Sequence, residues 1–225
     1  MAVNCPEPVD VQPVPGVRLA TAAAAIKSAD RDDVAVLLLD PGTRVSGVFT
    51  RSHFKAAPVI LCERALANQS RVPIRALVIN SGNANACTGE KGLKDAKCCG
   101  DLVAEALDIA PEFVAVASTG VIGVPLPMHC FDGHVSTLCR MLGNDQFDGV
   151  ARAMMTTDAF PKMCGRTINL GGAEITILGL AKGAGMIQPN MATMLSVLVT
   201  DADVTPHCLQ QALSHAADRS FNAAT

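Results

Sequence analysis

Short apolar runs that end in polar or glycine-containing turns mark the first half of the chain and predict buried strands. The runs are residues 17–26, 34–39, 45–50, 75–80 and 114–117. The clearest, VAVLLL at 34–39, closes at Asp40-Pro41-Gly42, a turn signal. In residues 17–26 the strand would be followed by a turn, and Gly47 in residues 45–50 would mark a close approach of the backbone.

A hairpin and a further strand are predicted in the second half. Residues 167–170 and 174–180 are separated by Gly171-Gly172, which favours a β-hairpin. Residues 193–200 form an apolar run rich in β-branched side chains and predict another strand.

Helices are predicted between these strands. The segments are residues 63–67, preceded by 58–62, then 91–107, 127–142, 146–155 and 205–220. Apolar residues three to four apart in residues 91–107 indicate an amphipathic helix. Thr205 is the predicted N-cap of the last helix, with Pro206 in its first turn. Strands thus alternate with helices, and polar loops follow the strand ends, where ligand sites tend to be built.

Composition narrows the function to small-molecule chemistry. The chain has 225 residues, 49% of them hydrophobic, a net charge of -3 and no Trp or Tyr. These values suit a globule with a sizeable core and disfavour nucleic-acid binding or a membrane surface. No secretory signal is visible at the N-terminus, and nine cysteines without a C-x-x-C pair indicate reduced thiols, so a cytoplasmic location is expected.

Two familiar kinds of site are weakly indicated. Gly183 and Gly185 follow a predicted strand, but the third glycine of a dinucleotide fingerprint and the lysine-hydroxyl pair of a phosphate loop are missing. His129, Cys130, His134 and Cys139 lie in one segment but lack the paired spacing of a zinc site. No metal is therefore expected, and packed thiols with surface histidines are the plainer interpretation.

Residues 182–195, KGAGMIQPNMATML, join a lysine, a glycine turn and a Pro-Asn turn to Thr193 at the start of a predicted strand. A threonine hydroxyl is a weak nucleophile unless a base lies nearby, and one known base is the residue's own α-amino group, freed by cleavage before it. From the residues alone, Thr193 is either such a nucleophile or a threonine that simply opens a strand.

The same stretch closely resembles the self-cleaving motif of the ornithine acetyltransferases, the glutamate N-acetyltransferase family of arginine biosynthesis. Further segments agree in the same order along nearly the whole chain. They are GVFT at 47–50, AAPV at 56–59, NSGNANA at 80–86, STGVI at 118–122, MTTD at 155–158 and DRSFN at 218–222.

The resemblance implies a fold, a reaction and a set of site residues. The fold would be α+β, in a layered α/β/β/α arrangement of the DmpA/ArgJ-like, N-terminal-nucleophile-like type. Cleavage between Ala192 and Thr193 would separate an α-chain (1–192) from the start of a β-chain (193–225). Thr193 would then carry the acetyl group from N2-acetylornithine to glutamate. Thr119 and Gly120 would form the oxyanion hole.

The resemblance also implies the binding residues and partners. Lys182 would bind substrate with Thr193, and Thr156 and Thr157 are further candidates. Acetyl-CoA would be a co-substrate if the protein is bifunctional, no other cofactor is implied, and the processed chains would form an α2β2 heterotetramer.

The chain departs from the family pattern at two places. A third threonine usually follows the Thr-Thr-Asp triplet, whereas this chain has Ala159. Family members continue beyond residues 218–222 with a long C-terminal half, so weak or absent transferase activity is expected if residues 1–225 are the entire polypeptide. An N-terminal-nucleophile aminopeptidase or amidohydrolase and an inactive remnant are the alternatives.

Overall fold

The computed structural model describes residues 12–69, 72–184 and 194–223. Its strands are β1 (Val17–Ala22), β2 (Val34–Leu39), β3 (Ala76–Asn80), β4 (Val114–Ser118), β5 (Lys162–Leu170), β6 (Ala173–Lys182) and β7 (Leu195–Thr200). Its α-helices are α1 (Ala57–Asn68), α2 (Gly89–Leu107), α3 (His129–Asp132), α4 (Val135–Arg140), α5 (Phe147–Ala153) and α6 (Pro206–Arg219), with 3-10 turns at Pro111–Phe113 and Phe221–Ala223.

The first four strands form one sheet in the order β1-β2-β3-β4. The first two pairings are antiparallel and the β3-β4 pairing is parallel. A parallel pair needs a crossover connection, and α2 provides it between β3 and β4. Both of these strands therefore end at the same edge of the sheet, with Asn80 in register with Ser118.

The last three strands form a second, antiparallel sheet in the order β5-β6-β7. The turn at residues 171–172 joins β5 to β6, and both glycines have positive φ, +60° and +90°. The hairpin predicted from the glycine pair is confirmed, although its strands are longer than predicted. Lys182, the last residue of β6, is in register with Leu195, the first residue of β7.

Two hydrophobic clusters hold these layers together. Val34 and Val36 of β2 pack on one side of the first sheet with helices α2 and α4. Ala35 and Leu37 point to the other side and pack with α5 and with Leu178 of β6. A strand that is covered on both faces needs a continuous apolar run, which β2 has. The structure confirms the α+β class and the buried strand.

Three local predictions need correction. Residues 45–50 form no strand; the carbonyl of Gly47 accepts a hydrogen bond from Gln210 Nε2 of α6 at 3.1 Å, so the segment packs against helices. Helix α1 begins at Ala57, well before residue 63, because a proline is tolerated in a first helical turn. The helix predicted over residues 127–142 is divided at Gly133, the C-cap of α3, into α3 and α4.

The remaining elements follow the sequence closely. Thr205 caps α6 by accepting a hydrogen bond from the N–H of Cys208 at 3.3 Å, as predicted. Residues 91–107 lie within α2, whose buried face includes Ala96, Cys99 and Val103. Within the described ranges, none of the helices combines the length and the apolar character needed to cross a membrane.

Candidate active site

The ends of β3 and β4, with the loop after β3, carry three buried asparagines and one half-buried serine that we call the amide network: Asn80, Asn83, Asn85 and Ser118. Ser118 Oγ donates to Asn80 Oδ1 at 2.7 Å, and the N–H of Thr119 donates to the Asn80 carbonyl at 2.9 Å. The parallel pairing of β3 with β4 is what places these two strand ends side by side.

The loop after β3 completes the amide network. Asn80 Nδ2 donates to the Asn83 carbonyl at 2.8 Å, and Asn83 Oδ1 accepts the N–H of Asn85 at 2.8 Å. Asn83 Nδ2 reaches across to the carbonyl of Val124 at 3.1 Å, beyond the loop that follows β4. The buried amides are therefore satisfied by neutral groups, which makes a rigid support for residues 119–121.

Gly120 is a position that only glycine fits. Its φ is +138°, and a Cβ built there would lie 2.3 Å from the carbonyl carbon of Gly82. The N–H of Val121 donates to the Gly82 carbonyl at 3.2 Å, so the two loops are held in backbone contact. Thr119 and Gly120, the oxyanion-hole candidates, thus lie in a turn whose backbone is held against the loop after β3.

Lys182 at the end of β6 meets this turn. Its ammonium donates to Thr119 Oγ1 at 2.8 Å, although the two residues are 63 positions apart in sequence. Lys182 is 7% exposed and Thr119 is 9% exposed. Burial lowers the pKa of Lys182, and the negative charge of Asp158 acts in the opposite direction. The hydrogen bond occupies a lone pair of Thr119 Oγ1 and leaves the hydroxyl hydrogen to donate elsewhere.

Asp158, in the segment between α5 and β5, has a fully buried side chain that accepts three hydrogen bonds. Oδ1 accepts from Lys162 Nζ at 2.5 Å and from the N–H of Gly183 at 2.7 Å. Oδ2 accepts from the N–H of Thr156 at 3.1 Å. Burial alone would raise the pKa of Asp158, but these hydrogen bonds, led by that from Lys162, outweigh it and lower the pKa.

We call Asp158, Lys162 and Lys182 the charged cluster. Lys162 also lies over the ring of Phe160, with Nζ 5.3 Å from the ring centroid. Because one carboxylate faces two ammonium groups, the charged cluster has a net charge of +1 when all three groups are ionised. Asp158 and Lys182 are buried and Lys162 is half-buried, and a site of this kind with one excess positive charge is suited to a carboxylate ligand.

The threonines after α5 occupy different environments. Thr156 is half-buried and contributes its N–H to Asp158, whereas Thr157 and Ala159 are exposed. The segment is tied to the loop after β3 by Arg31, which donates to Ser81 Oγ at 3.0 Å and to the Met155 carbonyl. Thr156 is therefore connected to Gly183 through Asp158, while Thr157 has no such connection among the contacts described.

Two predicted site residues, Ala192 and Thr193, lie outside the described residues. So does Gly185 of the glycine turn. Gly183 lies directly after Lys182, within the described residues, and its φ of +143° is in the region that favours glycine. The next described residue after 184 is 194, and Leu195 is the register partner of Lys182.

The histidine and cysteine segment forms local contacts. His134 Nδ1 lies 3.0 Å from the Cys130 carbonyl, and His129 Nε2 lies 3.6 Å from Cys130 Sγ. Over the described ranges, no three His, Cys, Asp or Glu side chains are grouped as metal ligands would be. Burial raises the pKa of the Cys139 thiol to about 11, as expected of a packed thiol.

Sequence reasoning missed the groups that support the candidate residues. Asp158 is part of the Thr-Thr-Asp triplet, yet only the threonines were predicted to matter, and Lys162 and Asn80 were not singled out. An acidic residue followed four positions later by a lysine was the available signal for the ion pair. No sequence signal links Asp158 to Gly183 or Asn80 to Ser118, because these contacts depend on how the strands pair.

The sequence is similar to that of a known protein family. Residues 18–225 match the ArgJ family. The arginine biosynthesis bifunctional protein ArgJ of Geobacter sulfurreducens is 49% identical over 213 residues, which are 94% of this chain and 53% of that protein. The protein of the same name from Nitrobacter winogradskyi is 46% identical, over 100% of this chain and 55% of its own length. The chain thus spans about half the length of these curated relatives.

Solved structures agree. The crystal structure of the ArgJ protein of Bacillus halodurans has a TM-score of 0.71 at 32% identity, covering 80% of this chain and 92% of that one. Ornithine acetyltransferase from Mycobacterium tuberculosis, solved with ornithine, has a TM-score of 0.67 at 34% identity, covering 83% and 94%. The L-aminopeptidase D-Ala-esterase/amidase of Ochrobactrum anthropi, of the Ntn-hydrolase fold, has 0.54 at 15% identity, covering 97% and 72%, and shows likeness of fold alone. These likenesses confirm the predicted fold type.

Proposed function

The chain belongs to the ArgJ family, and from that premise we propose that it carries the first part of a glutamate N-acetyltransferase site. The enzyme would move the acetyl group of N2-acetylornithine to glutamate within arginine biosynthesis. The observation that carries this proposal is the 2.8 Å contact between Lys182 and Thr119, which joins the predicted substrate lysine to the predicted oxyanion loop.

Maturation would begin with attack of Thr193 Oγ on the carbonyl carbon of Ala192. The peptide nitrogen leaves as the α-amino group of Thr193, an ester links the two residues, and water hydrolyses that ester. An α-chain of residues 1–192 and a β-chain beginning at Thr193 would result. The new α-amino group has a pKa near 8 when unperturbed, which suits a general base at neutral pH.

Acetyl transfer would follow in two half-reactions. The α-amino group takes the Thr193 hydroxyl proton, Oγ attacks the acetyl carbonyl, and ornithine leaves with its α-amine protonated. The amine of glutamate then attacks the acetyl ester and releases Thr193. Each step passes through a tetrahedral oxyanion, which the Thr119 hydroxyl and the Gly120 N–H would stabilise, at about 3 kcal/mol for one donor.

Lys182 and the threonines after α5 would bind the substrates. The net positive charge of the charged cluster supports a role for Lys182 in holding an amino-acid carboxylate. The half-buried position of Thr156 favours it over the exposed Thr157 as a binding residue. Acetyl-CoA as an additional acetyl donor and an α2β2 assembly of processed chains belong to the same proposal.

Intact mass measurement of the purified chain tests maturation. We expect two pieces that separate before Thr193, and a single uncleaved mass for Thr193→Ala. Thr167→Ala is the matched control, because Thr167 is an exposed threonine on β5. A chain that stays whole through long incubation contradicts self-cleavage of these residues.

Incubation with acetyl-labelled N2-acetylornithine and glutamate tests the reaction. Labelled acetylglutamate supports acetyl transfer, labelled acetate supports an amidohydrolase, and neither product supports an inactive remnant. The measurement is made on residues 1–225 and on the same residues within a full-length family protein, so that an incomplete site is distinguished from a wrong reaction.

A further inference from the structure

Asp158 lies between the elements that carry the candidate site. It belongs to the segment between α5 and β5, and it accepts hydrogen bonds from Lys162 on β5 and from Gly183 directly after β6. Its third bond, from the N–H of Thr156, closes its own turn. Within residues 12–69, 72–184 and 194–223, Asp158 is the carboxylate whose charge acts on Lys182.

The direction of one hydrogen bond depends on the charge of Lys182. A protonated ammonium can only donate, so Thr119 Oγ1 must accept and its own hydrogen is directed elsewhere. A neutral Lys182 amine has a lone pair and is able to accept the Thr119 hydrogen instead. The hydroxyl would then be occupied and lost as an oxyanion donor.

We propose that Asp158 is a positioning residue that acts through Lys182: its carboxylate accepts the N–H of Gly183 at 2.7 Å, next to Lys182, and favours the protonated lysine, which directs the Thr119 hydroxyl into the site. The part played by Thr119 rests on the proposed function, whereas the effect of Asp158 on Lys182 does not. Asp158 also anchors Gly183, so the charge and the strand end that carries Lys182 are fixed by the same side chain.

The charges that face Lys182 support this role. Burial lowers the pKa of Lys182, the charge of Asp158 raises it, and the charge of Lys162 lowers it further. Thr119 Oγ1, which faces Lys182 from the turn after β4, is neutral, and β7 beside β6 has no ionisable side chain. Asp158 is therefore the group that opposes both burial and the second lysine.

Titration of Lys182 by NMR on the chain with 13C-labelled lysine Cε atoms tests the proposal, with Lys182→Arg to assign the signal. Asp158→Asn keeps the size of the side chain and removes its charge. We expect the midpoint of the Lys182 titration to fall, giving about a tenfold larger neutral fraction at a pH below the midpoint. Asp148→Asn, which alters an exposed ion pair with Arg152, is expected to leave the midpoint unchanged.

A second variant changes the midpoint in the opposite direction. Lys162→Gln removes the neighbouring ammonium that disfavours protonation of Lys182, so we expect the midpoint of the Lys182 titration to rise. This variant tests the proposal if Asp158→Asn fails to fold. A role that is merely structural predicts no such pair of opposite changes. An unchanged midpoint in a folded Asp158→Asn, or a fall in Lys162→Gln, overturns the proposal even if acetyl transfer is observed. The Lys182 titration does not require acetyl transfer, so it tests the effect of Asp158 even if the chain shows no transferase activity.

Discussion

The amide network and the charged cluster meet at Thr119 but hold it in different ways. On the side of the first sheet, Asn80 accepts from Ser118 and from the Thr119 N–H, so the support is neutral. On the side of the second sheet, Lys182 of the charged cluster donates to the Thr119 hydroxyl. The backbone of the turn is thus held by neutral groups, whereas its side-chain hydroxyl is in contact with a charged group.

This difference separates geometry from protonation. Neutral hydrogen bonds between amides and hydroxyls do not change with pH over the range in which proteins fold, so the position of the turn is constant. The charged cluster contains groups that titrate, so the direction of the Thr119 hydroxyl depends on pH. In such a site the amide network fixes the position of the turn, and the hydrogen bond between Lys182 and Thr119 is the contact that changes with pH.

The largest expected effect is that of Gly120→Ala on the neutral side. The new Cβ would lie 2.3 Å from the Gly82 carbonyl carbon at a φ of +138°, so both loops must move. We expect a loss of about 4 kcal/mol or more in the free energy of unfolding, measured in urea.

Gly123→Ala is its control. Gly123 also has a positive φ, +79°, but nothing lies within 4 Å of an added Cβ. We expect a loss of about 1 kcal/mol there from backbone strain alone. Equal losses in the two variants would show that the contact between the two loops does not brace Gly120.

A smaller effect is expected when a charge is introduced into the amide network. In Asn80→Asp a carboxylate oxygen replaces Nδ2 and faces the Asn83 carbonyl that now lies 2.8 Å away. We expect a loss of about 3 kcal/mol at pH 7. Ser118 still donates to one carboxylate oxygen, but the new oxygen is buried and faces a carbonyl, which raises the pKa of the new carboxyl. The folded variant therefore binds more protons than the unfolded one, and its stability recovers as the pH falls from 7 toward 4.

Asn169→Asp is the matched control, because Asn169 is exposed and its Oδ1 accepts from the N–H of Gly172, which an aspartate can also do. Its unfolding free energy is expected to change by less than about 0.5 kcal/mol. If Asn80→Asp is as stable as wild type at pH 7, or if its loss of stability is the same at pH 7 and at pH 4, the network does not require neutral groups.

The smallest expected effect is that of Asp158→Asn on stability, about 2 kcal/mol at pH 7. The pKa of Asp158 is lowered in the folded chain, chiefly because the hydrogen bonds to its carboxylate outweigh burial. Its stabilisation is therefore present above the unfolded pKa, near 4, and lost as the pH falls through the lower folded pKa.

The difference between wild type and Asp158→Asn should consequently shrink only below about pH 4, in contrast to that for Asn80→Asp. Urea unfolding at pH 7, 5 and 3 distinguishes the two patterns. Asp148→Asn serves again as the exposed control. A difference that is constant down to pH 3 would show that the stabilising effect of Asp158 comes from its two acceptor oxygens and not from its charge.

Local patterns were sufficient for most of the elements. The apolar run of β2, the glycine pair of the β5-β6 turn and the Thr205 cap each act within a few residues, and each was predicted. Residues 45–50 have the composition of a strand but lie against α6 through Gly47, and no local pattern reveals which partner an extended segment will have. Which element an extended segment pairs with depends on how the sheets and helices pack in the tertiary structure.

The site divides in the same way. The sequence by itself determined the family, and with it Lys182, Thr119 and Gly120 as candidates, because the motif is continuous and specific. That Lys182 touches Thr119, that Asp158 anchors Gly183 and that Asn80 braces Ser118 were decided only by the tertiary structure. Each of these contacts joins residues at least 25 positions apart. Their formation depends on the parallel β3-β4 pairing and on the packing of one sheet against the other.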